Sequence, residues 1–171
     1  MKPTTALIFA AVLACAGAIA LAADVPDGAQ KTLGDGYKLT CAAALDPSDA
    51  NLDAAFAILS PGFVNVDIKG KQHTRDEVVA MGKQQLKQLH VTTCDATVDS
   101  LAAQDANTLV AVAGLHIEGD IQAPDGKHQL SVTSKSQDTW KLVDGKWLDT
   151  QSKDLRNLVK VDGNVVQDEG S

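Results

Sequence analysis

The stretch "SQDTWKLVDGKWLD", residues 136–149, carries both tryptophans of the chain on either side of an Asp-Gly pair. Asp144-Gly145 has the composition of a two-residue hairpin loop, in which both residues take positive φ. Folding about that loop sets Leu142 opposite Trp147, Trp140 opposite Asp149 and Asp138 opposite Gln151. Side chains alternate along a strand, so Asp138, Trp140, Leu142, Trp147 and Asp149 fall on one side of the ribbon. A face with two indoles, a leucine and two carboxylates has two readings. It lines a small-molecule pocket, or it is a core face whose acids sit at wet ends.

Outward from this hairpin the apolar period is two. Strands are predicted over residues 91–101, 108–117, 129–143 and 146–153, joined by Gln104-Asp105-Ala106-Asn107, Pro124-Asp125-Gly126-Lys127 and Asp144-Gly145. Such short polar turns join neighbouring strands, so these four form an antiparallel meander. Residues 158–167 hold another Asp162-Gly163 turn, a short C-terminal hairpin at the end of a tail assigned to 156–171.

Before His90 the period is helical. Leu33, Tyr37, Cys41, Ala44 and Leu45 mark a first helix, weakened by Gly34 and Gly36 and broken at Asp46-Pro47. Ser48 caps a second, with Leu52, Ala55, Phe56 and Leu59 as its stripe and Pro61-Gly62 as its stop. "FVNVDIKGK" reads as a strand over 63–68 turning at Gly70. Thr74-Arg75-Asp76-Glu77 is a capping box that opens a third helix running to about Leu89. The order helix, helix, strand, helix, meander is α+β, with the helices covering one face of the sheet. The domain proper is assigned to 33–155, preceded by a flexible lead-in over 23–32.

The N-terminus reads as an export signal. Lys2 precedes an apolar run from Ala6 to Ala23, and Ala20-Leu21-Ala22 offers a small-residue cleavage site after residue 22. The rival readings are a membrane anchor, which the alanines and Gly17 disfavour, and lipidation at Cys15 after Val12-Leu13-Ala14. A periplasmic or secreted protein is the better expectation. Removing residues 1–22 leaves 149 of the 171 residues, enough for one domain with a real core. The formal charge moves from −7 to −8, since Lys2 is the only charged residue removed. An acidic domain without a lysine or arginine cluster has no electrostatic route to nucleic acid.

Two cysteines remain, Cys41 and Cys94. Export favours a disulfide between them; two separately buried thiols are the alternative. No Cys-x-x-Cys occurs and His73, His90, His116 and His128 have no ligand spacing, so no metal is expected. Nucleophile elbows, phosphate-binding glycine loops and His-Glu-x-x-His are missing from the sequence, which removes support for the corresponding hydrolases and nucleotide enzymes. No cofactor is expected.

Three local patterns, "FVNVDIKGKQHTRDEVV", "SQDTW" and "DGKW", in this order and spacing resemble the SnoaL-like branch of the nuclear-transport-factor-2-like superfamily. The likeness spans residues 37–153. It implies a strongly curved antiparallel sheet wrapped around helices into a cone, a cystatin-like α+β barrel whose mouth is a ligand pocket. The family includes polyketide cyclases, a ketosteroid isomerase, dehydratases and members without established activity, so fold alone does not choose a function. The resemblance turns the tryptophan face inward and makes Tyr37, Phe63, Asn65, Asp67, Asp138, Trp140 and Trp147 the expected pocket lining.

An inward carboxylate without a partner is costly, and burial raises its pKa into the range useful for proton transfer. The family's isomerase works this way, with a tyrosine, a neutral acid and a second carboxylate. Tyr37, Asp138 and Asp67 offer the same groups and are the catalytic candidates, by residue type and face rather than by motif. Each has a structural alternative. Asp138 serves equally as a hydrogen-bonded core acid, Asp67 as a turn former before Gly70, and Tyr37 as a core residue reaching the rim. His116 alternates with Val110 and Val112 on the outer face, which points to a dimer contact more than to catalysis. Three functions follow in order: an exported, cofactor-free binding domain for a small apolar or aromatic molecule; an acid/base isomerase, dehydratase or cyclase; and a non-catalytic module forming a homodimer through its outer sheet face.

Overall fold

A computed structural model describes residues 24–170. The export-signal and Cys15 readings concern residues 1–23 and lie outside the described residues. Three helices precede or interrupt a seven-stranded sheet: α1 (Ala29–Leu45), α2 (Asp49–Phe56), β1 (Leu59–Val66), β2 (Gln72–Thr74), α3 (Arg75–Gln88), β3 (Leu89–Asp105), β4 (Thr108–Ala123), β5 (Gly126–Val143), β6 (Lys146–Val161) and β7 (Asn164–Gly170). The sheet order is β2-β1-β6-β5-β4-β3, with β7 also on β6, so the sheet does not close on itself.

The meander β3–β6 is antiparallel throughout. Asp144 and Gly145 have φ of 50° and 76°, as a two-residue loop requires, and Leu142 pairs with Trp147 and Trp140 with Asp149. Beyond Trp140 the simple register fails. Asp138 pairs with Ser152, not Gln151, because Thr150 is an extra residue between Asp149 and Gln151. Its hydroxyl donates to the Thr139 carbonyl at 2.9 Å, so the bulge keeps a hydrogen bond. A second shift lies between Lys135 and Ser136, opposite Leu155. These bulges bend the ribbon and let it curl around the helices.

Several boundaries differ from those read in the sequence. α1 begins at Ala29, four residues before Leu33, because Ala29 is itself buried beside Leu33 and Trp140. α2 stops at Phe56, ahead of Pro61-Gly62, which instead lie inside β1. The Arg75 guanidinium donates to the carbonyls of Phe56 and Leu59, satisfying the groups freed where the helix ends. Pro61 is tolerated because the β1–β6 pairing skips from Leu59–Asp149 to Val64–Gln151. The tail expected over 156–171 is sheet: β6 continues to Val161 against the far half of β5, and the Asp162-Gly163 turn leads into β7. β1 lies parallel to β6, a long-range pairing that hairpin rules do not reach.

The Thr74–Glu77 capping box is formed in both directions. α1 rests on β3 and on the end of β6, and Cys41 is bonded to Cys94, tying α1 to β3. The main core, Ala29, Leu33, Ala103, Leu109, Ala111 and Trp140, fills the end of the molecule nearest the Asp144-Gly145 turn. Two smaller clusters, one around Leu52 and Ala55 and one around Val91 and Ile117, flank the middle. No described helix is long and apolar enough to cross a membrane.

Candidate functional site

Between the helices and the inner face of the sheet lies a cavity of about 470 Å3. Its apolar wall comes from Ala55 and Phe56 of α2, Leu86 of α3, Phe63 of β1, and Ala113 and Ile117 of β4. Polar groups enter from few places: Tyr37 and Thr40 on α1, Asn65 on β1, Gln85 on α3, and Ser152, Asp149 and Asp154 on β6 among them. α3 contributes this wall although none of its residues is fully buried, since its inward side faces a hollow rather than packed atoms.

Tyr37 anchors one end. It sits two turns into α1 and its ring meets Trp140 edge-on, with centroids 5.7 Å apart at 74°. Its hydroxyl donates to Asp138 Oδ2 at 2.6 Å and accepts the Trp140 indole N–H at 3.2 Å. Asp138 accepts further hydroxyl protons from Ser136 at 3.1 Å and Ser152 at 2.7 Å. The carboxylate is therefore 3 % exposed yet fully hydrogen-bonded. Burial raises its pKa, while the bonds from Tyr37, Ser152 and Ser136 oppose the rise. Burial, reinforced by the Asp138 charge, drives the Tyr37 phenol far above its usual range, so it remains a neutral donor.

Asp149 differs. It is 5 % exposed, and its Oδ1 accepts a single backbone N–H, from Gln151 at 3.1 Å. Burial, with the Asp138 charge adding to it, pushes this carboxyl up to about 8. Asp154, half-buried on the same strand, accepts the Asn65 side-chain amide at 2.9 Å. Burial raises its pKa as well; the Asn65 bond opposes this, and the Asp67 and Asp138 charges add to it.

Of the residues singled out in the sequence, Tyr37, Phe63, Asn65 and Trp140 line the cavity. Asp138 lies one layer behind the wall, covered by Tyr37 and the two serines. Trp147, only partly buried, packs against the main core instead of lining the cavity, as the strand end carries it past the hollow. Asp67 is also off the wall. Its Oδ1 accepts the backbone N–H groups of Lys69 and Lys71, both at 2.9 Å, and Oδ2 meets His73 Nε2 at 3.2 Å. The Lys71 bond is the leading cause that holds its carboxyl below the usual range, which suits a turn former and not a proton acceptor. His116 points away from the cavity, hydrogen-bonded to Thr133 at 3.0 Å and facing Glu118 at 3.3 Å.

Two acids of the wall, Asp149 and Asp154, are not among the sequence candidates. Asp149 stood on the tryptophan ribbon from the outset, directly opposite Trp140, and that position was the available signal. Asp154 lies past the Thr150 bulge, where alternation from the turn no longer tells inward from outward. Among the described residues, no three His, Cys, Asp or Glu side chains converge to hold a metal ion.

No family model matches this sequence, and no curated protein matches it. Solved structures do. A hexachlorocyclohexane dehydrochlorinase is similar with a TM-score of 0.63 at 11% identity, covering 77% of this chain and 87% of its own. A nuclear-transport-factor-2-like protein from Cytophaga hutchinsonii gives 0.56 at 16%, covering 74% and 96%. A ketosteroid isomerase-like protein from Erwinia carotovora atroseptica gives 0.56 at 7%, covering 80% and 95%. At these identities the likeness is one of fold. This chain has a nuclear-transport-factor-2-like fold, a curled, mainly antiparallel sheet holding its helices in the concave side.

Proposed function

We propose that this chain is an exported, cofactor-free SnoaL-like domain that holds one small, mainly apolar molecule between its helices and its sheet. The observation that carries this reading is the cavity itself. About 470 Å3 lies within the range of small-molecule sites, and an apolar wall with a few convergent polar groups is their usual make-up. The Cys41–Cys94 bond fits an oxidising compartment. A compact neutral hydrocarbon alcohol such as 1-adamantanol is a suitable probe. It should raise the melting temperature in proportion to the logarithm of its concentration. Leu86→Trp, which fills the hollow from α3, should abolish that rise. Equal shifts in both proteins, or none in either, would remove the binding reading.

A second reading, acid/base catalysis, is favoured by one specific observation. Asp149 lines the cavity with a carboxyl at about 8, close to the pH at which a proton donor or acceptor works best. A dehydrochlorinase and an isomerase-like protein share the fold. On this reading Asp149 moves the proton, while Tyr37, whose own proton is held by Asp138, offers the substrate a hydroxyl lone pair. The interaction-module reading has less support. It needs a filled cone, and Val110 and Val112 on the outer face are already half-buried within one chain.

A further inference from the structure

We infer that the molecule accepted by this cavity is an organic cation, an ammonium group carried on a compact apolar body. The inference rests on the binding reading above and names its ligand class. Asp149 and Asp154 both line the cavity, and Asp138 stands behind Tyr37 on the same side. Among the described residues, Asp149 has one partner on Oδ1 and none on its other oxygen, although the residue is 5 % exposed. When ionised, a carboxyl so placed has no counter-charge of its own, and a bound cation would supply one and favour loss of its proton.

Three basic groups on the elements around the cavity already have partners. Lys135 borders the cavity, but its ammonium is bonded to Asp99 at 2.7 Å. His73 pairs with Asp67, and Arg75 is spent on the carbonyls of Phe56 and Leu59. A bare metal ion does not fit, since no three ligating side chains converge on one point among the described residues. An ammonium needs only one carboxyl, which Asp149 supplies, with the Asp154 charge adding attraction from further along β6. The rings of Phe56, Phe63 and Tyr37 border the same hollow, and aromatic faces attract such a head. The apolar body then occupies the space near Leu86 and Ile117.

Two probes that differ only in the head group test this. 1-Adamantanemethylamine is cationic at pH 8, and 1-adamantanemethanol is its neutral counterpart. Calorimetric titration at pH 8 should show the amine bound at least about tenfold more tightly, the gain typical of a hydrogen bond to a charged group. Asp149→Asn should bring the two within about threefold while alcohol binding persists. Asp154→Asn, whose amide can still pair with Asn65, should reduce the preference in part, and it serves if the first variant fails to fold. An alcohol bound as tightly as the amine by the parent protein overturns the inference and leaves the binding reading standing. So does a full amine preference in Asp149→Asn. Failure of both probes to bind removes the binding reading and this inference together.

Discussion

Three acids on one side of a hollow behave differently because of what each accepts. Asp138 receives three hydroxyl protons, so its burial is offset by bonds. Tyr37→Phe removes the shortest of them and also deprives the Trp140 N–H of its acceptor. Leaving two buried groups short of partners should cost about 1–3 kcal/mol, measured by urea denaturation. Asp149 has no such compensation. Folded, it keeps its proton to about pH 8; unfolded, it loses it near 3.8. The folded chain therefore binds more protons across that window, and stability falls as pH rises through it. Asp138 and Asp154 are shifted in the same direction and share in the slope. Asp149→Asn should be more stable than the parent at pH 8, by up to roughly 5 kcal/mol in this linkage account, and equal to it near pH 4, as denaturation at the two pH values will show. A parent whose stability rises from pH 5 to 8 would contradict the assignment.

At the scale of elements, the Asp144-Gly145 turn, the capping box and the meander were all legible, because each depends on residues close in sequence. Chemistry at the bulges was not. Thr150 and Leu155 each displace the register by one residue, and nothing in their identity marks them as extra. That is why Asp138 meets Ser152, and why Asp154 could not be placed on a face in advance. Pro61-Gly62 looked like a helix stop because hairpin-scale reasoning does not foresee a parallel partner, and β1 joins β6 from far along the chain. Gly36 weakens α1 by propensity alone; its missing Cβ lets the helix lie on Trp140, as an added Cβ would stand 3.2 Å from the indole Cη2. The bond between α1 and β3 closes a loop across 53 positions. Replacing both Cys41 and Cys94 with serine should cost about 3–4 kcal/mol in the chain-entropy account, read as a lower denaturation midpoint. The parent under strong reductant should match the variant.

Over the whole molecule, a sheet left open at both ends curls around three helices without filling the space between, and both the binding and the acid/base readings depend on that unfilled space. The two tryptophans report on it separately, since Trp140 borders the cavity and Trp147 packs against the core beyond it. Trp147→Phe leaves Trp140 as the single indole. Titrating that variant with 1-bromoadamantane, a compact apolar heavy-atom quencher, and following tryptophan emission is the most direct measurement. Saturable quenching with one site per chain is the predicted result. Quenching that grows linearly without saturation, or an emission that does not respond, would contradict an accessible hollow beside Trp140.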